Sequence, residues 1–330
     1  MIVITGGGTG GHLVIAKAIK EELNRRGIKP IFIGSTYGQD RKWFENDEGW
    51  EATYFFDTSG VVNKKGVYKI ISLLNILKFT FKCYSIFKKY KVEKVFSVGG
   101  YSAGPASFGA VFFGKKFFIH EQNASMGRLN RLLTPFAKKV FSSFFYNDPY
   151  PVRKEFFEKY RVRKELKTII FLGGSQGAKA INSFAFEVAK MRKFNIIHQT
   201  GEKDFKRCEK FYRENNLNVD YFAFSNNLVD KITKADFAVS RAGASTLFEL
   251  VSNGVPTLFV PYPYSAGNHQ YYNAQFLVNN GLAFLEFEKN LDKNFFEKID
   301  NSELEKISKN LKKINNQNGV KLIVDTMIGY

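Results

Sequence analysis

The chain has 330 residues, 44% of them hydrophobic, and a formal net charge of +18. That length suits two α/β domains, the composition excludes a disordered chain, and the charge bears on anionic partners, not on fold. Two cysteines, Cys83 and Cys208, exclude a disulfide framework, and with four histidines they give no metal-ligand spacing, so a reducing cytoplasm is the expected compartment and no cofactor is expected. The chain opens on a core strand and no uncharged apolar run approaches bilayer length, so a soluble or peripheral protein without a signal peptide is expected.

Ile2-Val3-Ile4 reads as a short buried strand, Thr5-Gly6-Gly7-Gly8-Thr9-Gly10-Gly11 as a glycine loop, and His12 to about Arg26 as a helix stopped by Gly27. Such a loop lets a ligand approach the backbone and turns helix N–H groups toward negative charge. Gly6, Gly8 and Gly11 fit the dinucleotide fingerprint, but the second strand, Pro30 to Ile33, runs into Gly34-Ser35-Thr36 with no carboxylate for a ribose, which argues against a dehydrogenase. His12, at the mouth of the loop, is a candidate general base.

From Thr58 to Val92 there is no Asp or Glu, while Lys64, Lys65, Lys69, Lys78, Lys82, Lys88, Lys89 and Lys91 punctuate apolar residues. At helical spacing Ile70, Leu74, Leu77 and Phe81 share one face, which either covers the sheet or meets an anionic bilayer. Strand Lys94 to Val98 enters a second glycine loop, Gly99-Gly100-Tyr101, and strand Lys116 to Ile119 ends in His120-Glu121-Gln122-Asn123, polar residues where open α/β sheets hold ligands. Ala124 stands where H-E-x-x-H needs a histidine, so no metal is expected there.

Prolines and turn formers from Tyr146 to Pro151 mark a linker, and the organisation then repeats: strand Thr168 to Leu172, loop Gly173-Gly174-Ser175-Gln176-Gly177, helix from Ala178. The repeat predicts two Rossmann-like halves facing across a cleft, about 1–148 and 149–315, with about 316–330 returning to the first. In the second half, strand Asp236 to Ser240 leads to Arg241-Ala242-Gly243, and a helix opens at Ala244, Ser245 and Thr246, a start suited to a diphosphate. Glu249, one turn on, is suited to both hydroxyls of a ribose. Strand Val255 to Pro261 delivers Asn268-His269-Gln270 toward sugar hydroxyls.

Gly7-Gly8-Thr9-Gly10-Gly11-His12, Gly99-Gly100-Tyr101, His120-Glu121-Gln122-Asn123, Pro151-Val152-Arg153, Gly173 to Gly177, Arg241-Ala242-Gly243-Ala244 with Glu249, and Gln270 before Asn273-Ala274 occur in this order along nearly the whole chain. In these the chain resembles the MurG family, bacterial enzymes that add N-acetylglucosamine to the muramoyl-pentapeptide-diphospho-undecaprenol lipid of peptidoglycan synthesis. The resemblance implies a GT-B fold, an inverting transfer, UDP-N-acetylglucosamine as donor, a polyisoprenyl-diphosphate acceptor, and a peripheral location at the cytoplasmic face of the plasma membrane. It implies Ser175, Arg153 and Thr246 near the diphosphate with Ala244 and Ser245 at the same helix start, Glu249 on the ribose, and the Ser225 backbone on the uracil. Asn123 and Gln270 would address the N-acetylglucosamine, Thr9, Gly10 and Gly11 the acceptor, and His12 would be the base.

The chain departs from the family pattern at Ile15, where proline is usual, at Pro149-Tyr150 before Pro151-Val152-Arg153, and at His269, where glutamine is common. Two rivals are weighed. A hydrolysing UDP-N-acetylglucosamine 2-epimerase would share the scaffold but needs carboxylates around the donor sugar. A nucleic-acid binder would explain the charge, yet no nucleic-acid module is present and none is expected as a partner.

Overall fold

The computed structural model describes residues 1–60, 66–174, 176–225 and 227–329, so Lys64, Lys65 and Ser175 lie outside the described residues, as does the side chain of Lys69. Short apolar runs ended by glycine or polar turns form parallel strands buried on both faces, as a sheet covered by helices on each side requires. The first unit runs β1 (Ile2–Thr5), α1 (Gly10–Arg25), β2 (Ile31–Ser35), α2 (Asp40–Phe44), β3 (Ala52–Phe56), α3 (Val67–Lys89), β4 (Lys94–Ser97), α4 (Gly104–Phe112), β5 (Lys116–His120), α5 (Arg128–Leu133) and β6 (Lys139–Phe141). Its parallel sheet has the order β3-β2-β1-β4-β5-β6, with Ile4 opposite Phe32 on one side and Phe96 on the other. The order reverses between β1 and β4, and that switch point opens a crevice at the carboxyl ends of the strands.

The second unit runs α6 (Lys154–Glu158), β7 (Thr168–Leu172), α7 (Lys179–Lys190), β8 (Asn195–Gln199), α8 (Phe205–Glu214), β9 (Val219–Phe222), α9 (Leu228–Lys234), β10 (Phe237–Ser240), α10 (Ala244–Asn253), β11 (Thr257–Phe259), α11 (His269–Val278), β12 (Phe284–Leu285) and α12 (Asn301–Ile314). Its sheet order, β12-β11-β10-β7-β8-β9, repeats that of the first unit, with the switch between β7 and β10. The last helix, α13 (Gly319–Gly329), belongs to the first unit: the compact units are Met1–Pro151 with the segment from Asn318 onward, and Val152–Gln317. Glycine is required where α13 starts, because a Cβ on Gly319 would run into the Pro149 carbonyl. Arg26, at the end of α1, pairs with Asp325 of α13 and with Glu22.

The core of the first unit gathers Val3, Ile31, Ile33, Val95, Phe117 and Ile119 from the strands with Cys83 and Phe87 from α3. In the second unit Ile169, Phe171, Phe237 and Val239 meet Ile181, Phe184 and Phe296. A fully buried Arg163 pins this unit: its guanidinium donates to the carbonyls of Arg161, Ala235 and Asn253. Both cysteines are buried and free.

At α3 the structure resolves an alternative that the sequence leaves open. Ile70, Leu74, Leu77 and Phe81 do not cover the sheet; Ile70 and Phe81 are 58% and 60% exposed. The packed face is instead Thr80, Cys83, Ile86 and Phe87, and Phe79 stacks on Phe56 at 4.8 Å. The segment Ile70–Lys89 also has the length and mean hydropathy, 1.4, of a membrane-crossing helix, although lysines interrupt it, so it is not an uncharged run. Helical rise makes 20 residues of mixed lysine and apolar side chains long enough, and the lysines only punctuate the run. Its inner face is nevertheless committed to the unit, with Gly109 of α4 close against Cys83 and Phe87.

Candidate active site

In the first unit two glycine loops interlock at the switch point. Gly6, Gly7 and Gly8 have φ of +114°, +156° and +84°, and Gly99 and Gly100 +84° and +82°. The Gly7 N–H donates to the Gly99 carbonyl (3.1 Å), and a Cβ on Gly100 would run into the Gly7 carbonyl. From below, the fully buried Asp40 of α2 accepts the N–H groups of Gly8 (2.5 Å) and Ser35 (2.9 Å). Burial pushes its carboxyl above the usual carboxylate range, against the pull of those N–H groups. Sequence reading saw no carboxylate beyond the second strand; Asp40 is that carboxylate, turned to the protein backbone and not to a ribose.

Thr9 precedes α1 in the N-cap position, yet its hydroxyl makes no cap. It lies 3.0 Å from His12 Nδ1 instead. The other ring nitrogen, Nε2, is 2.9 Å from Gln122 Nε2 and packs above Gly99. Gln122 is held by the turn that follows β5, where buried Glu121 accepts the N–H groups of Asn123 (3.0 Å) and Gly127 (3.0 Å) and the amide of Asn130 (2.8 Å). Glu121 is thus a loop organiser, and Asn123, half-buried, is presented on the loop it shapes. His120, buried beside Tyr150, is held neutral, its pKa pushed down to about 3 by burial and then by the neighbouring His12. Thr9, Gly10, Gly11, His12 and Asn123 are therefore gathered in the first unit.

Arg153, Ser225, Ala244, Ser245, Thr246, Glu249 and Gln270 all lie in the second unit. Gly243 precedes α10 and offers no side-chain cap, so the helix opens with the N–H groups of Ala244, Ser245 and Thr246 at its positive end. Glu249 is not a solvated helix residue as a surface contact would be; it is only 8% exposed. Burial raises its carboxyl to about 7, opposed by the Arg153 guanidinium, and no hydrogen bond from a described residue reaches it. Arg153 itself lies over Phe156, 5.5 Å from the ring. A buried carboxyl that no described residue hydrogen-bonds, one turn inside an uncapped helix start and under the influence of an arginine, suits a ligand that brings both hydroxyls and negative charge.

The surrounding loops are tied to one another. Arg241 donates to the carbonyls of Val260 and Pro261 and pairs with Glu288, and Asn273 donates to the Ala242 carbonyl (3.0 Å). Gln270 Oε1 accepts the Tyr262 N–H (2.9 Å), which leaves its amino group as the donor for a ligand. His269 turns Nδ1 to the Ala266 carbonyl (2.8 Å), a local turn contact. Ser225 Oγ accepts the Asn227 N–H (3.1 Å) and shapes the turn after β9. Buried His198, between Tyr212 and Asn182, is a core histidine with its pKa pushed down to about 3 by burial. Among the described residues no cluster of three or more His, Cys, Asp and Glu side chains is gathered as a metal site would need.

The model of the glycosyltransferase family 28 N-terminal domain matches residues 2–142, and that of the glycosyltransferase family 28 C-terminal domain matches residues 168–327. A Campylobacter fetus protein described as UDP-N-acetylglucosamine--N-acetylmuramyl-(pentapeptide) pyrophosphoryl-undecaprenol N-acetylglucosamine transferase is 52% identical over 99% of both chains. The crystal structure of MurG from Acinetobacter baumannii is 26% identical, with a TM-score of 0.80 over 100% of this chain and 99% of that one. A UDP-GlcNAc 2-epimerase from Neisseria meningitidis, 15% identical with a TM-score of 0.63 over the whole of both chains, shares the fold alone. The chain belongs to glycosyltransferase family 28, and within it to the MurG family of GT-B transferases.

Proposed function

We infer that this protein transfers N-acetylglucosamine from UDP-N-acetylglucosamine to the muramoyl-pentapeptide-diphospho-undecaprenol lipid, with inversion at the anomeric carbon. The observation that carries the reading is the second unit's nucleotide-shaped site: the uncapped start of α10 followed one turn later by buried Glu249 beside Arg153. Helix N–H groups and the guanidinium stabilise the diphosphate as it departs. Glu249, once ionised, accepts the two ribose hydroxyls, and the Ser225 backbone meets the base. Thr246 and Ser175 lie in the sequence stretches that would bond the diphosphate, and the amide of Gln270 and Asn123 would hold the sugar. In the first unit His12 removes the proton of the acceptor hydroxyl, while Thr9, Gly10 and Gly11 face the acceptor. A hydrolysing epimerase would need carboxylates on the donor sugar; the side chains assigned to it are amides.

The acceptor stays in the bilayer, so the enzyme works as a peripheral protein at an anionic membrane surface on the side that supplies UDP-sugars, the cytoplasm. The exposed face of α3, Ile70, Leu74, Leu77 and Phe81 with Lys78 and Lys82 beside it, supports this: shallow apolar insertion adds to attraction by lysines. Transfer of labelled sugar from UDP-N-acetylglucosamine to a short-chain analogue of the lipid tests the reading. Release of free 2-epimerised sugar, or no product at all, would defeat it.

A further inference from the structure

The two edges of the His12 ring meet different surroundings. Nε2 points inward, 2.9 Å from the side-chain amide of Gln122, which is buried, and against the backbone position of Gly99. Nδ1 points to the hydroxyl of Thr9, an exposed residue. An acceptor hydroxyl can therefore reach the ring only at Nδ1 or through Thr9. For that nitrogen to accept a proton it must begin without one, so the ring's single proton must reside on Nε2. A half-turn of the Gln122 amide exchanges its two ends at no cost in volume and brings to Nε2 the carbonyl oxygen, which otherwise is buried without a partner.

We propose that Gln122 is a positioning residue for catalysis: its carbonyl holds the proton of His12 on Nε2 and makes Nδ1, with Thr9 beside it, the proton acceptor. This rests on the reading of His12 as the base. As the acceptor oxygen bonds to the anomeric carbon and the carbon–diphosphate bond breaks with its electron pair leaving on the diphosphate, the acceptor's proton passes to Thr9 Oγ1. The proton of Thr9 passes in the same motion to Nδ1. The imidazolium so formed has a partner at both N–H groups, Gln122 Oε1 and Thr9 Oγ1. With the amino group of Gln122 toward the ring, two donors would oppose each other at that moment and the base would be weakened.

The tautomer of His12 can be read directly from long-range proton–nitrogen spectra of 15N-histidine-labelled protein, with His12→Gln supplying the assignment. The expected signature is a protonated Nε2 and a bare Nδ1, becoming a mixture in Gln122→Met. Gln122→Glu replaces the carbonyl by a carboxylate, which favours the imidazolium, so the acidic limb of the kcat profile should move up by about one pH unit with the donor KM unchanged. Gln122→Met should lower kcat at least tenfold, again without moving the donor KM. A wild-type ring protonated on Nδ1, or a Gln122→Glu profile that coincides with wild type, overturns the proposal. Full turnover by His12→Ala would instead sink the base assignment, whatever the tautomer.

Discussion

The Arg153 guanidinium acts on a carboxyl, Glu249, whose burial alone would keep it protonated near neutrality; among the described residues it is the charge that pulls against that burial. The site is thus poised between a neutral and an ionised form, and the form that accepts two hydroxyls is the ionised one. UDP affinity should fall as pH drops below about 7 in the wild type and lose that dependence in Glu249→Gln. Glu249→Ala should cost about 1.5–3 kcal/mol of UDP binding, the range for hydrogen bonds to a charged group. Calorimetric titration across pH 6 to 8 measures both, and an unchanged affinity removes Glu249 from the site.

The same carboxyl makes the fold pH-dependent. Its folded pKa, about 7, lies above its ordinary 4.5, so between those values the folded chain keeps a proton that the unfolded chain has lost. Stability contributed by the neutral form is fully present below pH 4.5 and is lost as pH rises through 7, by about 3 kcal/mol at 1.36 kcal/mol per unit. Glu249→Gln should therefore be more stable than wild type at pH 7.5 and level with it near pH 4.5. Parallel melting curves of the two proteins at both pH values decide it.

Acid acts on two other groups with the opposite sign. His120 and His198 are buried neutral with pKa about 3, against 6.5 when unfolded. Their stabilising effect is complete above pH 6.5 and is lost as pH falls toward 3, because only the unfolded chain takes up the protons. Denaturant midpoints should fall steadily over that window, and His120→Phe should show a shallower fall than wild type.

His12→Ala should reduce kcat by roughly 10²–10⁴-fold, the usual contribution of a general base, and leave UDP affinity unaltered. Steady-state rates with a water-soluble acceptor check it. Near-wild-type turnover would return His12 to the role of a helix-start residue.

The exposed face of α3 predicts binding to vesicles that rises with anionic lipid and falls as salt shortens the Debye length. Lys78→Glu with Lys82→Glu should cut vesicle sedimentation and activity on membrane-held acceptor while sparing a soluble analogue. Equal loss on both acceptors would mean that these lysines serve the fold.

Much of this was legible in the sequence because parallel strands and glycine loops announce themselves locally: Ile2-Val3-Ile4 before Gly6, and Thr168 to Leu172 before Gly173, needed no tertiary information. What was hidden depends on neighbours far along the chain. Asp40 has no periodicity to mark it as buried, since its partners, Gly8 and Ser35, come from the first glycine loop and the end of β2. Burial of Glu249 was masked by helical position, which reads the same for a solvated glutamate. Gln122 was visible within His120 to Asn123 but acquired a role only when folding put it against His12, more than a hundred residues away. The α3 periodicity showed a face and could not say which way it turned.

The return of α13 to the first unit has a bearing on how the protein is made. Residues 152–317 are one uninterrupted piece, so the second unit needs no later part of the chain to close its core. The other unit has to wait, because Val320, Ile323, Val324 and Met327, buried in its finished form, are translated only after the whole of the second unit. Early termination before Gly319 would therefore leave a complete second unit attached to a first unit with an open hydrophobic seam, a species suited to chaperone capture and not to catalysis.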